Sequence, residues 1–435
     1  MQVAQLEKRW PLLYKWGKLI GVTGGAQVLI QGIGFLVGIY IIHMLSKEQY
    51  AYYTLANTML GTMTVLADGG ISTGVMAEGG KQWENRKELG TILATGMHMR
   101  RQFAIGSLLV SIPILFYLLN DQGLLWWESG LLILCLIPTF MAALSGSLLQ
   151  IVPRLHQDIN ELLKINVQLN VVRLLLTLPV LFFFPLAPLA ILASGIGQWV
   201  NNIQLRKLSF KAADWKVQPT SEYRRRIMEK VKRVLPGSIY YCISGQITVW
   251  LIAFFGSTEG VAEIGALSRL MMVLTLVKLS VDMLIVPRYA RLPSDKTQVI
   301  VRFFQVLALL LGMSALIAGG VALFPRLFLW VLGKDYANLE YEVVLMTASS
   351  CLGLVNGVAY LMASSRGIIP NPYVYIIYSI VTQVIILYFF VDYTTLAGVI
   401  VFSIYAALVN LVYRIGDFLY QTLYKMDWSE AGTAQ

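Results

Sequence analysis

Apolar residues in this chain come in long runs of about 18 to 27, each bounded by charges, proline or glycine, with no strict alternation that would mark strands. Crossing a hydrocarbon layer of about 30 Å at 1.5 Å per residue takes a helix of this length, and within lipid only a helix or a closed barrel satisfies its own backbone. The pattern predicts an all-α, polytopic membrane protein of about twelve spans, at 19–45, 52–76, 102–119, 131–152, 165–184, 186–203, 234–255, 264–286, 303–323, 343–362, 373–390 and 396–413. No segment between runs is long enough for a soluble domain of its own.

Charge in the connecting segments supports this layout. Of the 34 Lys and Arg, 28 fall on one side of the predicted membrane, from Lys8, Arg9, Lys15 and Lys18 at the N-terminus to Arg414 and Lys425 near the C-terminus. Only Lys47, Arg326 and Lys334 fall on the other side. Positive segments stay in the cytoplasm, so both termini are expected there. Arg173, Arg269 and Lys278 are left inside spans.

The composition agrees: 57% of residues are hydrophobic and 13% charged, against roughly a quarter charged in ordinary soluble domains. The net charge of +10 would point to nucleic acid in a soluble protein, but the positive-inside distribution explains it, and no nucleic-acid partner is expected. Cys135, Cys242 and Cys351 lie inside apolar runs without paired spacing, so neither a disulfide framework nor a metal site is predicted. The first apolar run is too long for a cleavable signal and is expected to remain as a helix.

The order suggests two six-helix bundles, 1–205 and 234–435, enclosing a central cavity, with a basic cytoplasmic linker at 206–233. In the linker, Ser221 is placed to cap a short helix whose Ile227, Met228 and Val231 meet lipid while its cations meet anionic headgroups; a plain topological signal is the alternative. A coarse repeat supports two parallel halves. Glu48 and Asp68 bracket the second span as Glu263 and Asp282 bracket the eighth.

Specific motifs sharpen this. The stretch Leu45-Ser-Lys-Glu-Gln-Tyr-Ala-Tyr-Tyr-Thr-Leu-Ala, followed by Leu66-Ala-Asp-Gly-Gly-Ile, is similar to a signature of polysaccharide flippases of O-antigen type, in the multidrug/oligosaccharidyl-lipid/polysaccharide exporter superfamily. The second half carries matching stretches at Leu235-Pro-Gly, Ala262-Glu-Ile-Gly-Ala-Leu-Ser-Arg-Leu and Leu332-Gly-Lys-Asp-Tyr. Ala51 stands where the family pattern has glycine. The two extra C-terminal helices of peptidoglycan-precursor flippases are not expected. The resemblance implies a carrier that moves undecaprenyl-pyrophosphate-linked sugar units from the cytoplasmic to the periplasmic leaflet. It also implies membrane lipids, a polysaccharide polymerase and chain-length machinery as partners.

A charge at bilayer depth costs about 2.5 to 3.5 kcal/mol on insertion scales, so in-span charges are the first candidates for chemistry. Arg173 shares a helix face with Asn166, Asn170 and Thr177, and its guanidinium suits a phosphate; the alternative is a structural pair with a carboxylate such as Asp68. Arg269 and Lys278 are nine residues apart, about 180° around a helix, so they face one lumen only if the helix bends. Lys278 and Asp282 have the spacing of an ion pair.

Asp68 precedes Gly69-Gly70, a sequence that permits a helix break, and Asp68 and Asp282 are candidate carriers of a coupling H⁺ or Na⁺, the only cofactor expected; for Asp68 a helix-terminal packing role is the favoured alternative. Gln31, Asn57, Asn170, Gln198 and Gln246 are candidates for hydrogen bonds to sugars or to neighbouring helices. Gly21, Gly25, Gly34 and Gly38 give the first span small-residue packing faces. Arg100 and Arg101 read as topological anchors or headgroup attractors.

Two other classes compete. A cation-coupled drug antiporter of the same superfamily would favour an acidic lumen, whereas this chain has three in-span cations against two carboxylates. A membrane polymerase or ligase would need a large periplasmic catalytic segment, which is missing from the loop pattern, and no phosphate-binding GxxxxGK[ST] loop occurs. The chain is therefore not expected to be an enzyme.

Overall fold

A computed structural model describes residues 24–425 apart from Ser294. The N-terminal cations, the start of the first predicted span and Gly21 lie outside the described residues. Every long element among the described residues is an α-helix. In chain order these are α1 (Gly24–Met44), α2 (Lys47–Asp68), α3 (Ile71–Lys81), α4 (Arg86–Asp121), α5 (Trp126–Leu149), α6 (Ile151–Leu155), α7 (Ile159–Phe183), α8 (Ala187–Ala212) and α9 (Ser221–Phe255). There follow α10 (Thr258–Met271), α11 (Val273–Leu284), α12 (Val286–Ala290), α13 (Lys296–Leu323), α14 (Pro325–Trp330), α15 (Glu340–Ser365), α16 (Pro372–Phe389) and α17 (Leu396–Tyr420).

Each predicted span coincides with one helix or with consecutive helices. Among the described residues nine are long and apolar enough to cross a membrane, or ten if α10 and its continuation count as one bent span. The other two, α2 and α8, are helical but more polar. Much of α2 is buried, including Tyr50, Leu55, Met59, Met63 and Ala67. A helix shielded by protein does not need a lipid-facing composition.

Local chemistry sets many of the helix starts. Ser46, Asn85, Ser257, Asp295, Asn371 and Thr395 each accept a hydrogen bond from a first-turn N–H of the helix that follows. The surface is apolar: Trp330 and Tyr388 are each 80% exposed and Leu316 78%, a display that suits lipid rather than water.

Two compact units emerge. Of the described residues, one comprises 24–49 with Ala56–Ile243; the other comprises Tyr50–Leu55 and 244–425. In the first, α5 packs along α8, and α8 along α7; Ile71, Val75, Leu89, Ile92, Ile227 and Val231 form a core among α3, α4 and α9. In the second, α15 packs on α13 and α17, with Phe303 and Phe418 stacked 3.8 Å apart between centroids. Within the 206–233 stretch, α8 runs on to Ala212 and α9 begins at Ser221, continuing as one 35-residue helix.

Candidate functional site

In the first unit the break after Asp68 is built from backbone preference. Gly69 (φ 49°) and Gly70 (φ 92°) are both in the left-handed region, where a side chain is strained. A Cβ on Gly70 would also lie 2.9 Å from Val234. The chain restarts as α3 with Ser72 turned back on Asp68, its N–H (3.2 Å) and hydroxyl (2.8 Å) both donating to Oδ1.

The same carboxylate receives Arg100. This arginine, counted among the loop cations from sequence, lies inside α4, which starts at Arg86 rather than near residue 102, and is 1% exposed. Nε donates to Asp68 Oδ1 at 3.0 Å, and Nη2 to Asp68 and Ser72. Nη1 donates to Leu144 O at 2.6 Å and Ser147 Oγ at 2.7 Å. All five guanidinium donors are thus used, and the charge of the buried guanidinium is cancelled by a partly exposed carboxylate. A coupling ion on Asp68 would have to displace this guanidinium.

Arg173 is treated differently. On α7, its Nε donates to Ser194 Oγ of α8 at 3.1 Å, and no carboxylate among the described residues comes within 4.0 Å. Asp68, the partner considered from sequence, is taken by Arg100. On the same face, Asn170 Nδ2 donates to Asn166 O at 2.9 Å, and the buried Thr177 hydroxyl has no hydrogen-bond partner among the described residues. Gln198 donates to Asn202 Oδ1 on α8. A cation met only by neutral groups retains its attraction for an anion.

In the second unit, α10 and the helix beginning at Val273 meet at a 41° bend. Arg269, just before it, directs Nη2 to Tyr53 Oη (3.4 Å) and Nη1 to Met272 Sδ (3.7 Å), beside the stacked Tyr50 and Tyr53 rings. Lys278, beyond the bend, lines a pocket of about 390 Å³ with Ser268, Met272, Thr275, Met346 and Ser350. Gly357 of α15 leaves space beside the Lys278 stem. Arg269 is outside this lining, so the bend does not bring the two cations to one pocket. Asp282 lies one turn past Lys278 without closing an ion pair, and its buried Oδ1 has no hydrogen-bond partner among the described residues.

The remaining candidates are dispersed: Gln31 on α1 and Gln246 on α9 are half-buried, and Asn57 on α2 is exposed. None lines the Lys278 pocket. Among the described residues no cluster of three His, Cys, Asp or Glu could hold a metal.

Sequence reasoning missed two cations. Arg100 follows an apolar stretch, Ile92 to Met99, that extends α4 past the assumed boundary. Arg414 was assigned to a terminal segment yet lies within α17, with the Tyr360 and Tyr375 ring centroids 4.8 and 5.1 Å from its guanidinium carbon. Tyrosines at 360, 375, 378 and 413 were the available signal.

No family model and no curated protein matches the chain. Solved structures do. An inward-facing multidrug resistance MATE family transporter of the MOP superfamily aligns over 91% of this chain and 93% of its own, at 14% identity and a TM-score of 0.69. An outward-facing MATE transporter of that superfamily aligns over 93% and 95%, at 13% identity and a TM-score of 0.65. The lipid II flippase MurJ, in an inward closed conformation, aligns over 92% and 90%, at 12% identity and a TM-score of 0.71. Such low identity speaks for architecture alone: the chain is an all-helical, multi-pass membrane protein with the fold of MATE transporters and the MurJ flippase.

Proposed function

We propose that this protein is a flippase for an anionic lipid-linked oligosaccharide, of the undecaprenyl-pyrophosphate type. It carries sugar repeat units from the cytoplasmic to the periplasmic leaflet of a bacterial inner membrane by alternating access, for cell-surface polysaccharide synthesis. The observation that carries this reading is Lys278, a cation at span depth that lines a pocket and closes no ion pair among the described residues. Arg173, with only a hydroxyl partner, supplies a second anion-seeking group. Desolvating a pyrophosphate costs several kcal/mol per charge unless fixed cations replace the water. The likeness to MurJ supports a lipid-borne cargo, and the positive-inside count supports cytoplasmic termini. A polymerase and chain-length proteins would act on the delivered units.

In proteoliposomes, Lys278→Glu or Arg173→Glu should abolish flipping of a fluorescent polyprenyl-pyrophosphate oligosaccharide while membrane insertion is retained. Normal flipping by both variants would refute the site assignment. The second reading is a cation-coupled antiporter for drugs or other small molecules, favoured by the unpartnered Asp282 oxygen and by the MATE likenesses. It expects transport of organic cations that stops in Asp282→Asn, and flipping unchanged when proton and sodium gradients are collapsed would count against coupling in either reading.

A further inference from the structure

A second pocket, of about 490 Å³, lies entirely in the first unit, between α5 and α8. This volume is within the range of ligand sites, about 300 to 1,000 Å³. Its wall on α8 is a single stripe, Trp199, Ile203, Lys207 and Phe210, at helical spacing, and Arg206 joins Lys207 at one end. From Trp199 to Phe210 the stripe runs about 16 Å along the helix.

The floor is fixed. Asn202 Nδ2 donates to Ala142 O at 2.7 Å, and Gln198 caps Asn202 Oδ1. The two helices approach so closely at Gly146 that a Cβ would lie 2.5 Å from Gln198 Nε2 and 2.6 Å from Asn202 Oδ1. Polar atoms at the bottom are thereby satisfied internally and ask nothing of a ligand.

The walls are different. Trp199 is 58% exposed, Ile203 55% and Phe210 40%, all of them apolar. Arg206 and Lys207 are exposed, and no carboxylate among the described residues is within 4.0 Å of either. The Phe210 end is held in place: Arg86 Nη2 donates to its carbonyl at 2.7 Å, and Trp215 meets its ring edge-on, 6.3 Å between centroids. An apolar stretch about 10 Å long from Trp199 past Ile203 to Arg206, ending on two cations without a carboxylate partner among the described residues, has the complementarity of an acyl chain attached to an anionic headgroup.

We propose that this groove binds an anionic glycerophospholipid, its phosphodiester on Arg206 and Lys207 and one acyl chain along Ile203, Trp199 and Met141. The site shares no residue with the Arg173 and Lys278 positions and does not depend on what the protein transports.

Vesicles of phosphatidylcholine doped with chain-brominated phosphatidylglycerol provide the test, with bromine quenching Trp199 and the Trp199→Phe protein isolating that tryptophan's signal. Quenching should show a preference for brominated phosphatidylglycerol over brominated phosphatidylcholine on the order of tenfold. The preference should vanish in Arg206→Gln/Lys207→Gln and persist in the charge-conserving Arg206→Lys/Lys207→Arg. Equal quenching by the two lipids in the wild type, or a preference that survives the double glutamine variant, overturns the proposal.

Discussion

Two broken helices of this molecule, α2–α3 with its break in the first unit and α10–α11 in the second, solve one problem in opposite ways. The first break is written in the backbone, with two left-handed glycines, and its carboxylate is matched by a guanidinium whose every donor is used. The second bends at Met272 with ordinary helical torsions (φ −54°, ψ −28°), and leaves Arg269 on phenol and thioether groups and Lys278 on a pocket wall. A saturated charge builds a joint. An unsaturated one is available to a ligand, which is why the proposed cargo site is assigned to Lys278 and not to Asp68 or Arg100.

Substitutions can break this contrast, and the largest effect should come from the saturated side. Arg100→Met strands a carboxylate and should lower unfolding stability by about 3 kcal/mol, the low end for a buried pair because the Asp68 side chain is 27% exposed. Adding Asp68→Asn should restore much of the loss, as read by thermal denaturation in detergent. If Arg100→Met unfolds like the wild type, the network is ornamental.

A smaller loss, about 1 to 3 kcal/mol, is expected for Gly70→Ala, which forces a side chain into the left-handed region against Val234. Met272→Ala should be tolerated by the same assay, because its backbone is already helical. Equal losses for both would erase the distinction between the two breaks. The smallest change belongs to Lys278→Met: stability should stay within about 0.5 kcal/mol of wild type, or rise, since no ion pair is lost. Flipping by that variant should nevertheless fall at least tenfold, the effect of about 1.4 kcal/mol in the transport barrier.

The helices were legible in the sequence because lipid forces a long apolar run wherever a helix faces it, and the Gly69-Gly70 break was legible because few other residues accept those torsions. What escaped was the end of α4. Reading hydropathy alone stops at a charge, and Arg100 looks like an end until its partner, 32 residues away, is known. Arg414 escaped for a related reason: an arginine between tyrosine rings is apolar from the lipid's side, and no local spacing records rings contributed by α15 and α16. The bend at Met272 had no glycine or proline to announce it, so only the alternative of a bent helix could be stated in advance.

Arg173 stands past the midpoint of α7 with a hydroxyl for company, and such a charge is exposed to the transmembrane voltage in a way that Arg100 is not. Displacing one elementary charge across the whole field is worth about 2.3 kcal/mol per 100 mV. If the proposed flippase reading holds, an energised membrane, negative inside, would draw the unloaded arginine inward and an anion seated on it would cancel the pull, so that voltage would act differently on the loaded and unloaded halves of the cycle.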